Sequence, residues 1–155
     1  MGHEEVIMSK SLLVALAILY SASLWSFSCY FTLAKDTCWS AYNVTVKVKD
    51  AITSKTLLTV FVPKNTSWVR EEFTCQPAQK LQYTATFTPK IWEKDAGKTY
   101  LSTNIWNLPA QIKPGEAAWN VTVCYPNSFS GVPMPPEATA VCSCNLNAIP
   151  SPPKK

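Results

Sequence analysis

Three segments of this chain alternate between apolar and polar residues with a period of two, which is typical of β-strands that place one face on a core. They run from Tyr42 to Asp50, from Gln79 to Thr88 and from Trp119 to Tyr125. The apolar row of each segment is predicted to face inward. The inward positions of greatest interest are Leu81, Tyr83, Phe87, Trp119, Val121 and Val123.

Further strands are expected where apolar and β-branched residues cluster. Thr56–Val62 is apolar almost throughout, which favours a strand buried on both of its faces. Thr99–Asn107 and Glu137–Cys144 are predicted as additional strands, the second one weaker. Asn65 and Trp68 are expected in a connection or on a sheet edge.

These strands, and the lack of a convincing amphipathic helix, predict an all-β domain. The expected fold is a disulfide-stapled, immunoglobulin-like sandwich of two sheets, preceded by an N-terminal signal segment. Residues 36–145 are expected to form the sandwich and residues 146–155 a flexible tail. The chain has 155 residues, which is one domain's worth, and 47% of them are apolar, which is enough for a sizeable core.

The N-terminus has the pattern of a secretory signal peptide. Lys10 precedes the uncharged apolar run 11–20, and the small residues 21–23 follow it. We therefore expect a signal peptide over residues 1–23. Because the uncharged stretch continues to Ala34, two alternatives stay open: cleavage after that residue, or a retained signal anchor that reaches it.

The cysteines and the glycosylation sequons, like the predicted signal peptide, indicate that the protein enters the secretory pathway. Disulfides are expected among the six cysteines, with the pairing left open: Cys29, Cys38, Cys75, Cys124, Cys142 and Cys144. Three Asn-X-Ser/Thr sequons predict N-glycans on Asn43, Asn65 and Asn120. We therefore expect a secreted or extracellular glycoprotein, or one that resides in the lumen of the secretory pathway.

Residue types that carry common catalytic mechanisms are scarce. The single histidine, His3, lies in the predicted signal peptide, so the mature chain has no histidine for a Ser-His-Asp or Cys-His mechanism. Cys142 and Cys144 could bind a soft metal as a Cys-X-Cys pair, but membership of two separate disulfides is favoured in a secreted domain. The net charge of +4 comes from scattered lysines, which disfavours nucleic-acid binding. We expect no enzyme activity, no cofactor and no metal site.

Residues 75–125 contain a series of motifs: Cys75-Gln-Pro-Ala-Gln-Lys-Leu-Gln-Tyr83, Trp106-Asn-Leu-Pro109, Ile112-Lys-Pro114 and the strand Val121-Thr-Val123. In these motifs the segment resembles the ML lipid-recognition family of secreted β-sandwich proteins. The chain differs from the family in lacking a glycine before the strand that follows Cys75. The resemblance implies a bridge from Cys38 to Cys142 or Cys144, and an apolar cavity between the sheets for a sterol, fatty acid or lipid tail.

Two functions are therefore expected as alternatives. The first is binding of a lipid or other apolar small molecule between the sheets, where the six inward positions named above would contact the ligand or simply form core. The second is an extracellular immunoglobulin-like module that binds a protein as a ligand, coreceptor or inhibitor, with contacts from loop aromatics such as Trp92 and Phe129. Association with a membrane is expected only if the N-terminal segment is retained as an anchor.

Overall fold

The computed structural model describes residues 26–138 and 141–154, and within them the protein is built from β-strands with no α-helix. Short 3-10 turns occur at Thr37–Trp39, Glu93–Asp95 and Leu146–Ala148. The eight strands are β1 Phe27–Lys35, β2 Asn43–Asp50, β3 Thr56–Val62, β4 Trp68–Cys75, β5 Lys80–Thr88, β6 Tyr100–Leu101, β7 Trp106–Asn107 and β8 Ala118–Tyr125. In this part of the chain no helix has the length and apolarity that crossing a membrane requires.

The strands form two sheets. The three-stranded sheet has the order β4-β1-β8, with β1 antiparallel to β4 and parallel to β8. The five-stranded sheet has the order β3-β2-β5-β6, and β7 also pairs with β5. Their inner faces pack together, since the ring of Phe31 in β1 contacts that of Tyr83 in β5 at 5.7 Å between centroids. The predicted all-β, disulfide-stapled fold of two sheets is therefore confirmed.

The alternating rows behave as predicted. Val44, Val46 and Val48 of β2 are fully buried. In β8 the residues Trp119, Val121, Val123 and Tyr125 are buried, while Asn120 between them is exposed. Burial of these apolar rows stabilises the sandwich by roughly 25 cal/mol for each Å² of apolar surface removed from water.

The folded domain begins earlier than predicted. β1 starts at Phe27, inside the stretch assigned to an alternative signal anchor and before the expected boundary at residue 36. It is the central strand of its sheet, and Phe31 and Leu33 are completely buried. A strand covered on both faces has the same continuous apolar composition as a membrane-directed segment, which is why the sequence pattern does not separate them. The predicted signal peptide, residues 1–23, lies outside the described residues.

Other strand predictions need correction. β3 is not buried on both faces: Val60 and Val62 are buried, but Phe61 is 51% exposed because the outer face of this edge strand is uncovered. The single strand predicted for Thr99–Asn107 is divided into β6 and β7, each of two residues.

Two further segments also differ from the prediction. β4 was not predicted as a strand because its charged central residues hide the pattern. In Glu137–Cys144, the described residues 137–138 and 141–144 belong to no strand, and disulfides hold the segment instead.

The three disulfides are Cys29–Cys75, Cys38–Cys142 and Cys124–Cys144. The first joins β1 to β4, and the other two attach the C-terminal segment to the end of the sandwich. Cys142 and Cys144 therefore belong to separate bridges, as predicted. The Cys38–Cys142 bridge is one of the two pairings that the family resemblance implied.

Candidate functional site

The six inward positions lie where the alternation predicted. Leu81, Val121 and Val123 are at most 1% exposed, Tyr83 and Trp119 are also buried, and Phe87 is partly buried. The three aromatic ones, Tyr83, Phe87 and Trp119, each make ring contacts with other aromatic side chains. The ring of Tyr83 lies 5.7 Å from Phe31 and 5.6 Å from Phe129, so aromatic side chains from both sheets and from one loop meet between the layers.

Phe129 is therefore part of the core and not an exposed contact residue. It is 5% exposed and also contacts the ring of Tyr125 at 5.5 Å. The proline-rich loop that carries it folds inward because the backbone of Ser102 forms a bridge with that of Phe129. Trp92, the other loop aromatic singled out from the sequence, is 53% exposed as expected.

An aromatic cluster surrounds Trp39, which the sequence analysis did not single out. Its ring lies 4.8 to 5.0 Å from those of Tyr42, Phe87 and Tyr125, and the side chain is 1% exposed. The preceding Asp36 fixes the start of the 3-10 turn, since its Oδ1 accepts a hydrogen bond from the backbone N–H of Cys38 at 2.9 Å. An N-cap residue before a cysteine and a tryptophan is the local signal that could have located this turn.

A cleft of about 450 Å³ lies directly over Trp39. The loop after β8 forms one wall, and the Cys38–Cys142 bridge holds the other wall in place. Two exposed apolar side chains mark this end of the molecule: Met134, which lines the cleft and is 65% exposed, and Val141, which is 77% exposed. The lining is mostly apolar, from Asp36, Trp39, Pro126, Asn127, Val132, Pro133, Met134, Ala138 and Cys142.

Two tyrosine hydroxyls next to this cluster are buried without a hydrogen-bond partner among the described residues. They belong to Tyr100 and Tyr125, whose side chains are 6% and 0% exposed. Burial raises the pKa of both, and for Tyr125 the nearby Tyr100 and Asp36 raise the pKa further. A buried hydroxyl without a partner destabilises a fold, so a polar group supplied by a ligand would be favourable here.

Lys35 is a buried cation at the same end of β1. The side chain is 4% exposed, and its Nζ donates to the carbonyl oxygens of Tyr42 at 2.6 Å and Pro63 at 2.8 Å. Burial lowers the pKa of this amine from 10.5 to about 8. Burial also raises the pKa of the adjacent Asp36 carboxyl, although backbone N–H groups oppose that shift. These groups hold the loops at this end together.

The three sequon asparagines have different surroundings. Asn65 is exposed, in a connection with a φ of 62°. Asn43 is partly buried, and its amide is engaged on both sides: Nδ2 donates to Thr88 Oγ1 at 3.3 Å and Oδ1 accepts from the Lys64 N–H at 2.9 Å. Asn120 is exposed on the outer face of β8.

One group of potential metal ligands occurs in the described ranges, formed by Asp36, Cys38 and Cys142. Its two sulfur atoms are joined in a disulfide, so neither is a thiolate that could bind a metal ion. The group therefore serves to fix the wall of the Trp39 cleft.

No protein-family model matches the chain, and no curated protein sequence matches it either.

Proposed function

We propose that this protein is a secreted, immunoglobulin-like interaction module that binds another extracellular protein at the Trp39 cleft. The observation that carries the proposal is the distribution of apolar surface. Between the sheets, Phe31, Tyr83 and Phe129 are in direct ring contact, whereas the concave apolar surface lies outside, over Trp39. A packed centre and an exposed apolar depression are features of interaction modules.

The composition of the cleft suits a protein partner. Met134 is flexible and polarisable, so it adapts to the side chain that enters, and the buried Trp39 ring supports the base of the cleft from below. Pro126 and Pro133 limit the freedom of the wall, which reduces the entropy lost when a partner binds. Asp36 adds a carboxylate to the apolar lining. The expected partner therefore inserts an aliphatic or aromatic side chain.

A binding screen tests this proposal. The protein, secreted from a eukaryotic host and tetramerised, is applied to an array of extracellular domains. We expect saturable binding that Met134→Asp weakens at least about tenfold, because a charge is then buried in the contact. Ile52→Asp is the matched control, since Ile52 is 77% exposed in the turn at the far end of β2. Binding that both variants leave unchanged would contradict the assignment of the cleft.

We propose lipid binding as the second candidate function, supported by the two tyrosine hydroxyls without partners. An apolar molecule with one polar group, such as a sterol, could reach Tyr100 and Tyr125 if the aromatic cluster opened. The resemblance to the ML family and the Cys38–Cys142 bridge are consistent with that function. Native mass spectrometry of the deglycosylated protein, followed by organic extraction, separates the two candidates. A reproducible extractable mass supports lipid binding, and a clean protein mass without uptake of offered sterols or fatty acids refutes it for those ligands.

We also propose that the protein is a glycoprotein of the extracellular space or the secretory-pathway lumen. Three disulfides within a small sandwich support an oxidising compartment. The proposal assigns no catalytic role, cofactor or nucleic-acid partner to the chain.

A further inference from the structure

The outer face of the three-stranded sheet is covered, although it would be expected to face solvent. Tyr30, Thr32 and Ala34 point away from the core, because their neighbours Phe31 and Leu33 point into it. All three outward residues are nevertheless buried, at 6%, 0% and 2% exposure. Another part of the chain must therefore lie over this face.

The covering element is the C-terminal segment, which follows β8 in the reverse direction. The Cys124–Cys144 disulfide attaches it at the end of β8. Ile149 and Pro150 then line a cleft with Thr122, and Pro152 and Pro153 line the next cleft with Ala118. Leu146 and residues 149–154 therefore lie against the sheet, within the range 146–155 that the sequence predicts as a tail.

Arg70 is the main polar anchor of this segment. Its Nη2 donates to the carbonyl oxygen of Pro150 at 2.7 Å, and its Nε donates to Thr32 Oγ1 at 2.8 Å. The guanidinium also lies over the ring of Trp68, 5.4 Å from its centroid. One side chain of the edge strand β4 thus connects the tail to the centre of the sheet.

The acceptor of the third sequon lies in the same groove. Asn120 is paired with Tyr30 across the sheet, and it lines both clefts under the tail, of about 330 and 560 Å³. Pro152 also lines both clefts, so this proline lies next to the asparagine. The asparagine amide already has local partners: Nδ2 donates to Thr122 Oγ1 at 3.1 Å, and Oδ1 accepts from Thr32 Oγ1 at 3.3 Å.

We propose that an N-glycan on Asn120 and the C-terminal segment 149–154 occupy the same groove, so that glycosylation of Asn120 releases the segment from the sheet. Glycan transfer joins Asn120 Nδ2 to the anomeric carbon of an oligosaccharide. The nitrogen loses one proton, and the lipid pyrophosphate that carried the sugar leaves with the electron pair of the broken C–O bond. Asn120 lines both clefts that Pro152 lines, so the first sugar would enter the groove that the segment occupies, and a glycan is too bulky to share it.

The consequence is two forms of the protein with different surfaces. Without the glycan, the tail is seated and Arg70 is bonded to Pro150. With the glycan, the proline-rich tail is free and the sugar covers the outer face of the sheet. The inference rests on the secretory route in the proposed function, but it does not depend on which partner or ligand the Trp39 cleft binds.

Hydrogen exchange of the full-length protein tests this inference. Thr122→Ala removes the sequon but keeps Asn120, and Thr122→Ser keeps a functional sequon as the matched control. The reporter is the amide of Ile149, the first residue of the segment, whose N–H donates to the carbonyl oxygen of Leu146 in the seated tail. We expect exchange at least about tenfold slower in Thr122→Ala than in Thr122→Ser and the wild type.

Two further variants show whether slow exchange depends on the Arg70 anchor and whether the result depends on the Thr122 substitution itself. Arg70→Ala in the Thr122→Ala background should restore fast exchange, because the anchor is lost while no glycan is present. Asn120→Gln removes the acceptor in a second way, in case Thr122→Ala does not fold. Equal exchange of the tail in glycosylated and unglycosylated chains would overturn the inference, as would a wild-type protein whose mass shows no glycan on Asn120. A missing partner for the Trp39 cleft would leave these results unchanged.

Discussion

Replacing the buried lysine of β1 should change how the stability of the protein depends on pH. Lys35 Nζ is enclosed by the carbonyl oxygens of Tyr42 and Pro63, and the side chain is 4% exposed. Lys35→Met keeps an unbranched chain of similar length and removes the charge. The variant leaves two carbonyl oxygens without a hydrogen-bond donor. The resulting loss of stability is the same at every pH, so it does not change the shape of the curve.

The direction of this pH dependence follows from the pKa values of Lys35 in the folded and the unfolded chain. Burial lowers the pKa of Lys35 to about 8 in the folded protein, against 10.5 for the free side chain. Between these values the unfolded chain binds more protons than the folded chain, so the free energy of unfolding rises with pH. From pH 7 to pH 9.5 the wild type should gain about 2 kcal/mol relative to Lys35→Met. Below pH 7 the two curves should run parallel.

Urea unfolding at a series of pH values, followed by tryptophan fluorescence, measures this difference. Comparison at equal pH cancels the contribution of tyrosines such as Tyr42, whose pKa burial and Glu137 raise to about 12. Lys47→Met, at an exposed position of β2, is the matched control and should give a curve parallel to the wild type. Parallel curves for Lys35→Met and the wild type up to pH 9.5 would refute the burial of the amine.

Two further predictions concern the covalent frame. Replacing both cysteines of the Cys38–Cys142 bridge, whose sequence separation is 104, should lower the free energy of unfolding by roughly 4–5 kcal/mol in non-reducing urea titrations. Loss of Cys124–Cys144, with a separation of 20, should cost only about 3 kcal/mol, and the reverse order would contradict the loop-closure argument. The intact mass of the secreted, deglycosylated protein should correspond to a chain that begins after Ser23. A mature chain that begins after Ala34 would lack the central strand β1, and its recovery as a folded protein would refute the role given to that strand.

Sequence patterns were sufficient to locate a strand and its inward residues where one face of the strand packs on the core and the other face carries polar residues. β2, β5 and β8 keep polar residues in their outward rows, such as Lys47 and Asn120, and their inward residues, such as Leu81 and Val121, are buried as predicted. The pattern failed for β1, because both of its faces are covered and the alternation disappears. It also failed for β4, because this edge strand exposes Glu71 and Glu72 and its sequence has the charged composition that is typical of a loop.

The candidate site was much less accessible to sequence reasoning. Trp39 and Met134 are 95 positions apart in the chain and line the same cleft because β1 and β8 run parallel and end at the same side of the sandwich. Phe129 was expected on the surface, since a proline-rich loop is usually solvated. Its burial depends on the bridge between its backbone and that of Ser102, which no local pattern encodes.

The sequence alone determined the strand-forming segments with one solvated face, the cysteines available for disulfides and the sequons. These are local properties, because alternation, side-chain chemistry and short motifs involve residues that are near one another in the chain. Only the tertiary structure decided the pairing of the cysteines, the central place of β1 and the seating of the C-terminal segment beside Asn120. Each of these depends on contacts between residues distant in sequence, whose free energy is gained only when both sheets have formed.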